Sequence, residues 1–210
     1  MTRILIADDH EVVRAGLRKM LESQPNWEVV ADVADGKNAI SKAVETVPDI
    51  AVLDYSLPLV NGIEETRQIR ARLPKTKVLI FTMHDSETLI QDLLKAGARG
   101  YLLKTDANHH LISAIEAVAS HKPFFTAKIS EALLNAFLAG PTPHGSALTD
   151  RERGVVQLIA EEHTNKQIAA VLTINLKTVE TDRATVMRKL DLSSSAALVR
   201  YAIRNKLVEA

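Results

Sequence analysis

Cysteine is absent from this chain, which excludes disulfides and thiolate zinc sites and suits a reducing cytoplasm. No stretch approaches the roughly 18 uninterrupted apolar residues of a membrane span. The N-terminus opens directly on a strand pattern and lacks the basic-then-apolar plan of an export signal. A cytoplasmic protein with no membrane partner is therefore expected. Aromatic residues are scarce, at 4%, although a hydrophobic content of 46% is enough to build real cores. Net charge is zero, so composition alone points to neither nucleic acid nor membrane. The charge is unevenly spread: residues 1–147 are slightly acidic and residues 148–210 slightly basic, a weak asymmetry. At 210 residues the chain has room for one large domain or two small ones.

From residue 1 to about 121, short apolar runs alternate with segments of helical period. The strand candidates are 3–7, 28–33, 49–53, 77–82 and 99–103. Helical segments lie near 11–23, 36–47, 62–72, 86–96 and 107–120. Five βα units in series predict an α/β domain with a five-stranded parallel sheet and helices on both faces. After Pro123 the strand signal stops. Residues 126–138 predict one amphipathic helix inside a connecting segment, 122–147, whose Gly140-Pro141-Thr142-Pro143 run breaks any helix. Residues 148–210 predict a small all-α domain of four helices. Thr149 with Glu152, and Thr164 with Gln167, form capping boxes, and Asn175 is a good N-cap. The pair 165–171 and 176–190 has the form of a helix-turn-helix.

The chemistry gathers at strand ends. Ile50-Ala51-Val52-Leu53 reads as a strand buried on both faces and ends in Asp54; Ile4-Leu5-Ile6-Ala7 ends in Asp8-Asp9. The carboxyl ends of strands are where open α/β sheets place their ligand sites. Three carboxylates converging on one crevice need something to offset their repulsion, either a divalent cation or a phosphoryl-transfer role. The ends of the later strands add Thr82 and Lys104. Asp9 and Asp54, with a backbone carbonyl near Ser56, supply hard oxygen ligands for Mg²⁺, and Asp8 reaches the ion through one of its waters. The metal and Lys104 would neutralise charge on a transferring phosphoryl group. Asp54 would be the nucleophile and Thr82 a donor to the new phosphoryl oxygen. His10 and His84 are expected at the crevice rim, facing solvent.

Asp8-Asp9, Asp54 with Leu57-Pro58, Asn61-Gly62, Thr82 and Gly100-Tyr101-Leu102-Leu103-Lys104 together resemble the motif set of bacterial two-component receiver domains, over residues 1–121. The resemblance implies a flavodoxin-like fold, a histidine kinase as phosphodonor, Asp54 as phosphoacceptor, Thr82 and Tyr101 as a switch pair, and Lys104 as phosphoryl partner. Phosphatases of the haloacid dehalogenase type also use a strand-end Asp with a Thr or Ser and a Lys. They need an acid two residues on, where this chain has Ser56. Turnover of an external phosphate ester is therefore disfavoured, leaving self-phosphorylation from a donor and autodephosphorylation.

Leu148-Thr149-Asp150-Arg151-Glu152, Asn165-Lys166-Gln167-Ile168-Ala169 and Lys177-Thr178-Val179-Glu180-Thr181 are similar to a LuxR-type DNA-binding domain. The whole chain thus resembles response regulators of the NarL/FixJ class. A recognition helix presents its N-terminal residues to base edges. Lys166, Lys177, Arg183 and Arg188 are candidate phosphate contacts, joined by Lys189. Thr178, Glu180, Thr181 and Ala184 complete the candidate DNA surface: Glu180 could accept from a cytosine amino group, and Thr181 or Ala184 touch a thymine methyl. Asp182 stands where that family usually has His, and its carboxylate would repel phosphate if it faced the backbone. Gly154, Glu162 and Asp191 replace the usual Glu, Gly and Gly, and Glu162 occupies a position where glycine often supplies a left-handed turn. The resemblance implies a phosphorylation-controlled transcriptional regulator that binds promoter DNA and forms a homodimer when phosphorylated. The alternative is a receiver whose degenerate helix-turn-helix acts through protein–protein interaction or as a phosphate sink.

Overall fold

Strands form where the apolar runs carry no helical period, and helices where apolar residues recur every three to four positions. The structure, a computed structural model, describes residues 1–84, 87–138, 148–205 and 207–208. The Gly/Pro segment read as a linker lies outside the described residues. The chain divides into two units, Met1–Pro141 and Thr142–Ala210.

In the first unit, β1 (Thr2–Ala7), β2 (Trp27–Val33), β3 (Ile50–Leu53), β4 (Lys77–Thr82) and β5 (Gly100–Leu103) are each followed by a helix. These are α1 (Glu11–Glu22), α2 (Gly36–Thr46), α3 (Gly62–Arg72), α4 (Glu87–Ala96) and α5 (Ala107–Ala119). All strand pairings are parallel. Every residue of β3 and of β5 is buried, as expected of strands covered on both faces. Ile4, Ile6, Val52, Leu79, Phe81 and Leu102 pack on Leu17 and Leu21 of α1 and on Leu111, Ile115 and Val118 of α5. Each such side chain contributes about 1.5–3 kcal/mol by leaving water.

The sheet has six strands, in the order β2-β1-β3-β4-β5-β6, and not the expected five. The extra one, β6 (Phe124–Phe125), pairs through Gly100 with Phe124 and Tyr101 with Phe125. Two residues are too few to show a pattern, and Pro123 reads as a breaker although proline is tolerated at the start of an edge strand. A helix, α6 (Ala127–Leu138), follows it and packs on α4 and β6 within the same unit.

The chain runs from β1 outward to β2 and then back past β1 to β3, so the strand order reverses between β1 and β3. That reversal opens a crevice at their carboxyl ends. Gly62, the first residue of α3, seals one side of it. A Cβ there would lie 2.9 Å from Tyr55 Cα and 3.2 Å from the Asp54 carbonyl oxygen, so only glycine lets α3 start this close to the strand end.

The second unit holds α7 (Asp150–Ala160), α8 (Asn165–Leu172), α9 (Leu176–Lys189) and α10 (Ser195–Arg204). Thr149 with Glu152 and Thr164 with Gln167 form the expected capping boxes, and Asn175 caps α9 by accepting from Thr178 N–H at 2.8 Å. Val155, Leu158, Ile168, Val179, Val186 and Leu198 are fully buried and form the core.

Glu162 and Asp191 keep the glycine conformation of the turns they occupy. Their φ angles are 63° and 51°. His163 N–H donates to the Leu158 carbonyl and Leu192 N–H to the Met187 carbonyl, both at 2.9 Å, the hydrogen bonds of a Schellman turn. The helix ends therefore form without glycine, at the cost of placing a Cβ in the left-handed region. Glu162→Gly should raise the stability of the second unit by about 1 kcal/mol. Hydrogen exchange of the α7 and α9 amides measures it; slower exchange is the expected outcome, and faster exchange would show that the Glu162 side chain stabilises the turn.

Candidate functional site

β1 and β3 deliver two buried carboxylates to the crevice: Asp8 is 0% exposed and Asp54 2%. Asp54 N–H donates to the Ala7 carbonyl at 2.8 Å and Asp8 N–H to the Val33 carbonyl at 3.1 Å, continuing the sheet past its formal end. Lys104, just after β5, bridges them. Its Nζ lies 2.7 Å from Asp8 Oδ2 and 2.8 Å from Asp54 Oδ2. Burial alone would lower the Lys104 pKa, but the Asp54 charge and hydrogen bonds to both acids carry it above its usual value. At Asp8 burial wins and pushes the carboxyl up, although Lys104 and the His10 N–H pull the other way. One half-buried ammonium thus leaves the acidic set under-compensated.

Asp9 is exposed and completes the cluster with His10, whose Nδ1 is 2.7 Å from Asp9 Oδ1. Ligand atoms of Asp8, Asp9, His10 and Asp54 all lie within 4.8 Å of one another. Hard carboxylate oxygens in excess of positive charge fit a Mg²⁺ ion that keeps several waters. Ser56 N–H approaches Asp54 Oδ1 at 3.4 Å.

Thr82 ends β4, the strand next to β3, and Tyr101 lies on β5; both are buried. Tyr101 is turned inward, its hydroxyl donating to the His84 carbonyl at 2.6 Å. The His84 N–H meets Thr82 Oγ1 at 3.4 Å. His84 itself is buried, at 6% exposed, and does not face solvent as expected. Its ring stands edge-on to Tyr55 at 5.3 Å, and its Nε2 is 2.5 Å from Ser56 Oγ. The apolar wall of Tyr55 and the Ser56 hydroxyl give the imidazole a better environment inside than at the rim. His10, by contrast, is exposed.

In the second unit, Lys177, Glu180, Thr181, Ala184, Thr185 and Arg188 line one shallow concavity of about 530 Å³ along α9. Lys166, Lys177, Glu180, Thr181, Ala184 and Arg188 are exposed, as a DNA-facing surface requires. Thr178 is half-buried and its hydroxyl donates to the capping Asn175 at 3.0 Å. Arg183 donates to Asn165 Oδ1 at 3.2 Å and Ser195 Oγ at 2.6 Å, tying the starts of α8 and α10 to α9.

Asp182 does not face a DNA backbone. It is 5% exposed and accepts two hydrogen bonds from Arg151 of α7, at 2.6 and 2.9 Å. A second tie, Lys189 Nζ to Glu152 Oε2 at 2.7 Å, fastens the other end of α9 to α7. The signal that could have found the first tie is helical phase: Asp182 lies three residues after Val179 and four before Val186, both buried, so it shares their face.

Residues 4–116 match the family model of the response regulator receiver domain, and residues 146–202 that of bacterial regulatory proteins of the luxR family. The oxygen regulatory protein NreC of Staphylococcus epidermidis is 39% identical over 99% of both chains. Among solved structures, a LuxR-family two-component response regulator from Aurantimonas is 37% identical with a TM-score of 0.62, covering 66% of this chain and 99% of its own. RcsB of Salmonella enterica serovar Typhimurium, bound to a promoter in the presence of the phosphomimetic BeF3-, is 26% identical with a TM-score of 0.69, over 95% and 97% of the two chains.

One group near the crevice escaped the sequence reading. Glu65 of α3 is fully buried and, among the described residues, neither carboxyl oxygen has a hydrogen-bond partner. Burial first, then the charges of Asp54 and Asp35, hold its carboxyl protonated well above the ordinary value of 4.5. A folded-state pKa above the unfolded one means that the native state binds the extra proton. Its stabilising effect is complete below about pH 4.5 and is lost as pH rises toward the folded value. Glu65→Gln, which mimics the protonated form, should therefore gain stability over the parent progressively above that pH. Urea midpoints of both proteins between pH 5 and 8 test this; parallel curves would contradict it.

Proposed function

The chain belongs to the two-component response regulators of the NarL/FixJ class, a receiver domain followed by a LuxR-type helix-turn-helix, and on that premise we propose that phosphorylation of Asp54 controls promoter binding by α9. The observation that carries the proposal is the crevice itself: a buried Asp54 at a strand end, held by Lys104 at 2.8 Å and flanked by Asp8 and Asp9.

An Asp54 carboxylate oxygen attacks phosphorus on a phosphohistidine of a sensor kinase. The O–P bond forms as the P–N bond breaks, and the imidazole leaves. Asp8, Asp9 and Asp54, with the Ser56 backbone carbonyl, would hold Mg²⁺, which when bound offsets charge on the phosphoryl oxygens. Lys104 exchanges its contact with the carboxylate for one with a phosphoryl oxygen. Thr82 donates its hydroxyl to another, and Tyr101 keeps the segment at His84 drawn in.

The position two residues after Asp54 holds a serine whose hydroxyl is engaged with His84. No general acid is offered there, so the acyl phosphate serves as a held signal and the chain turns over no external ester. Phosphorylation promotes a homodimer whose paired recognition helices read two half-sites. RcsB, solved with promoter DNA and a phosphomimetic together, supports that coupling. The reading as a degenerate helix-turn-helix loses its motives: Asp182 is neutralised by Arg151, and Glu162 keeps its turn.

Two experiments test the proposal. Asp54→Ala should abolish covalent labelling by a small phosphodonor with Mg²⁺, and continued labelling would refute the assignment. For DNA, exposed Lys166, Lys177 and Arg188 supply about four to six phosphate contacts per dimer, so log K should fall against log salt with a slope near −4 to −5. A flat salt response would contradict the DNA role.

A further inference from the structure

The recognition helix carries two acids, and the structure separates them. Asp182 is buried and neutralised by Arg151. Glu180 is exposed on the stripe with Lys177, Thr181, Ala184 and Arg188. Among the described residues no ion pair engages its carboxylate: Lys189 and Arg151 are taken by other acids, and Arg183 is held by Asn165 and Ser195. A free carboxylate on a DNA-facing stripe is repelled by every phosphate it approaches. It is compatible with tight binding only where it meets a donor on a base edge.

The major groove offers amino donors on cytosine N4 and adenine N6. Adenine presents its N7 acceptor beside N6, which suits the paired donor and acceptor of Asn or Gln; a carboxylate only accepts, and cytosine presents a donor without that neighbouring acceptor. Glu180 is the fifth residue of α9, within the N-terminal stretch that reaches base edges. Its neighbour Thr181 donates its hydroxyl to the Lys177 carbonyl at 2.9 Å, which leaves a methyl group as what it offers a base. We infer that Glu180 is a specificity-determining residue, accepting a hydrogen bond from the N4 amino group of one cytosine in each half-site. The inference rests on the DNA-binding reading above and adds to it the base that is read.

The test uses the full chain, phosphorylated by a small phosphodonor with Mg²⁺, to select duplexes from a random library. The parent should enrich cytosine at one position of each half-site. Glu180→Ala should lose the preference at that position alone and keep the others. In the selected duplex, N4-methylcytosine places a methyl where the groove-facing N–H was. It should weaken the parent roughly 5- to 100-fold, the range of one mismatched pair, while leaving Glu180→Ala unmoved. The 5-methylcytosine duplex, whose N4 donor is intact, should not show that loss. An unchanged cytosine preference in Glu180→Ala, or uniform tightening on all sequences with the preference intact, would overturn the inference alone. A parent that enriches no sequence would overturn the DNA-binding reading with it.

Discussion

A single half-buried ammonium holds the receiver site together. Lys104 reaches two carboxylates delivered by different strands, Asp8 from β1 and Asp54 from β3. Without it the two carboxylates would repel each other across a desolvated crevice with no cation between them. The arrangement is also one that a new anion can disturb. A phosphoryl group on Asp54, as proposed, would compete for Lys104 with the groups that now share it. Thr82, His84 and Tyr101 are joined to one another by hydrogen bonds, and His84 meets Ser56, two residues after Asp54.

The second unit solves a different problem with the same means. Its helix α9 is fixed through residues that lie off the exposed stripe from Lys177 to Arg188. Arg151–Asp182 and Lys189–Glu152 fasten α9 to α7 from one side, and Arg183 links it to α8 and α10. Three of the helix's charged residues are thus structural, and the stripe from Lys177 to Arg188 is left for the partner.

Much of this was legible in the residues. Apolar runs of four to seven and the capping signals locate five strands and eight of the helices to within a residue or two. The strand-end carboxylates, Thr82 and Lys104 converged where a parallel sheet must bring them. What the sequence could not display was pairing at a distance. β6 is only two residues long and has no period. His84 looked polar and therefore exposed, but Tyr55 and Ser56 enclose it. Asp182 looked like an obstacle to DNA because its partner is 31 residues away. Glu65 carries one local hint of its burial: it lies four residues before the buried Ile69 on the same face of α3.

Charge placed on Asp54 is proposed to control the DNA affinity of α9. Fluorescence anisotropy of a selected duplex, titrated with the full chain with and without a small phosphodonor and Mg²⁺, tests it most directly. Binding should tighten roughly 5- to 150-fold in the parent, and not at all in Asp54→Ala under the same conditions. Equal tightening in both proteins, or no response in the parent once Asp54 is shown to be labelled, would contradict it.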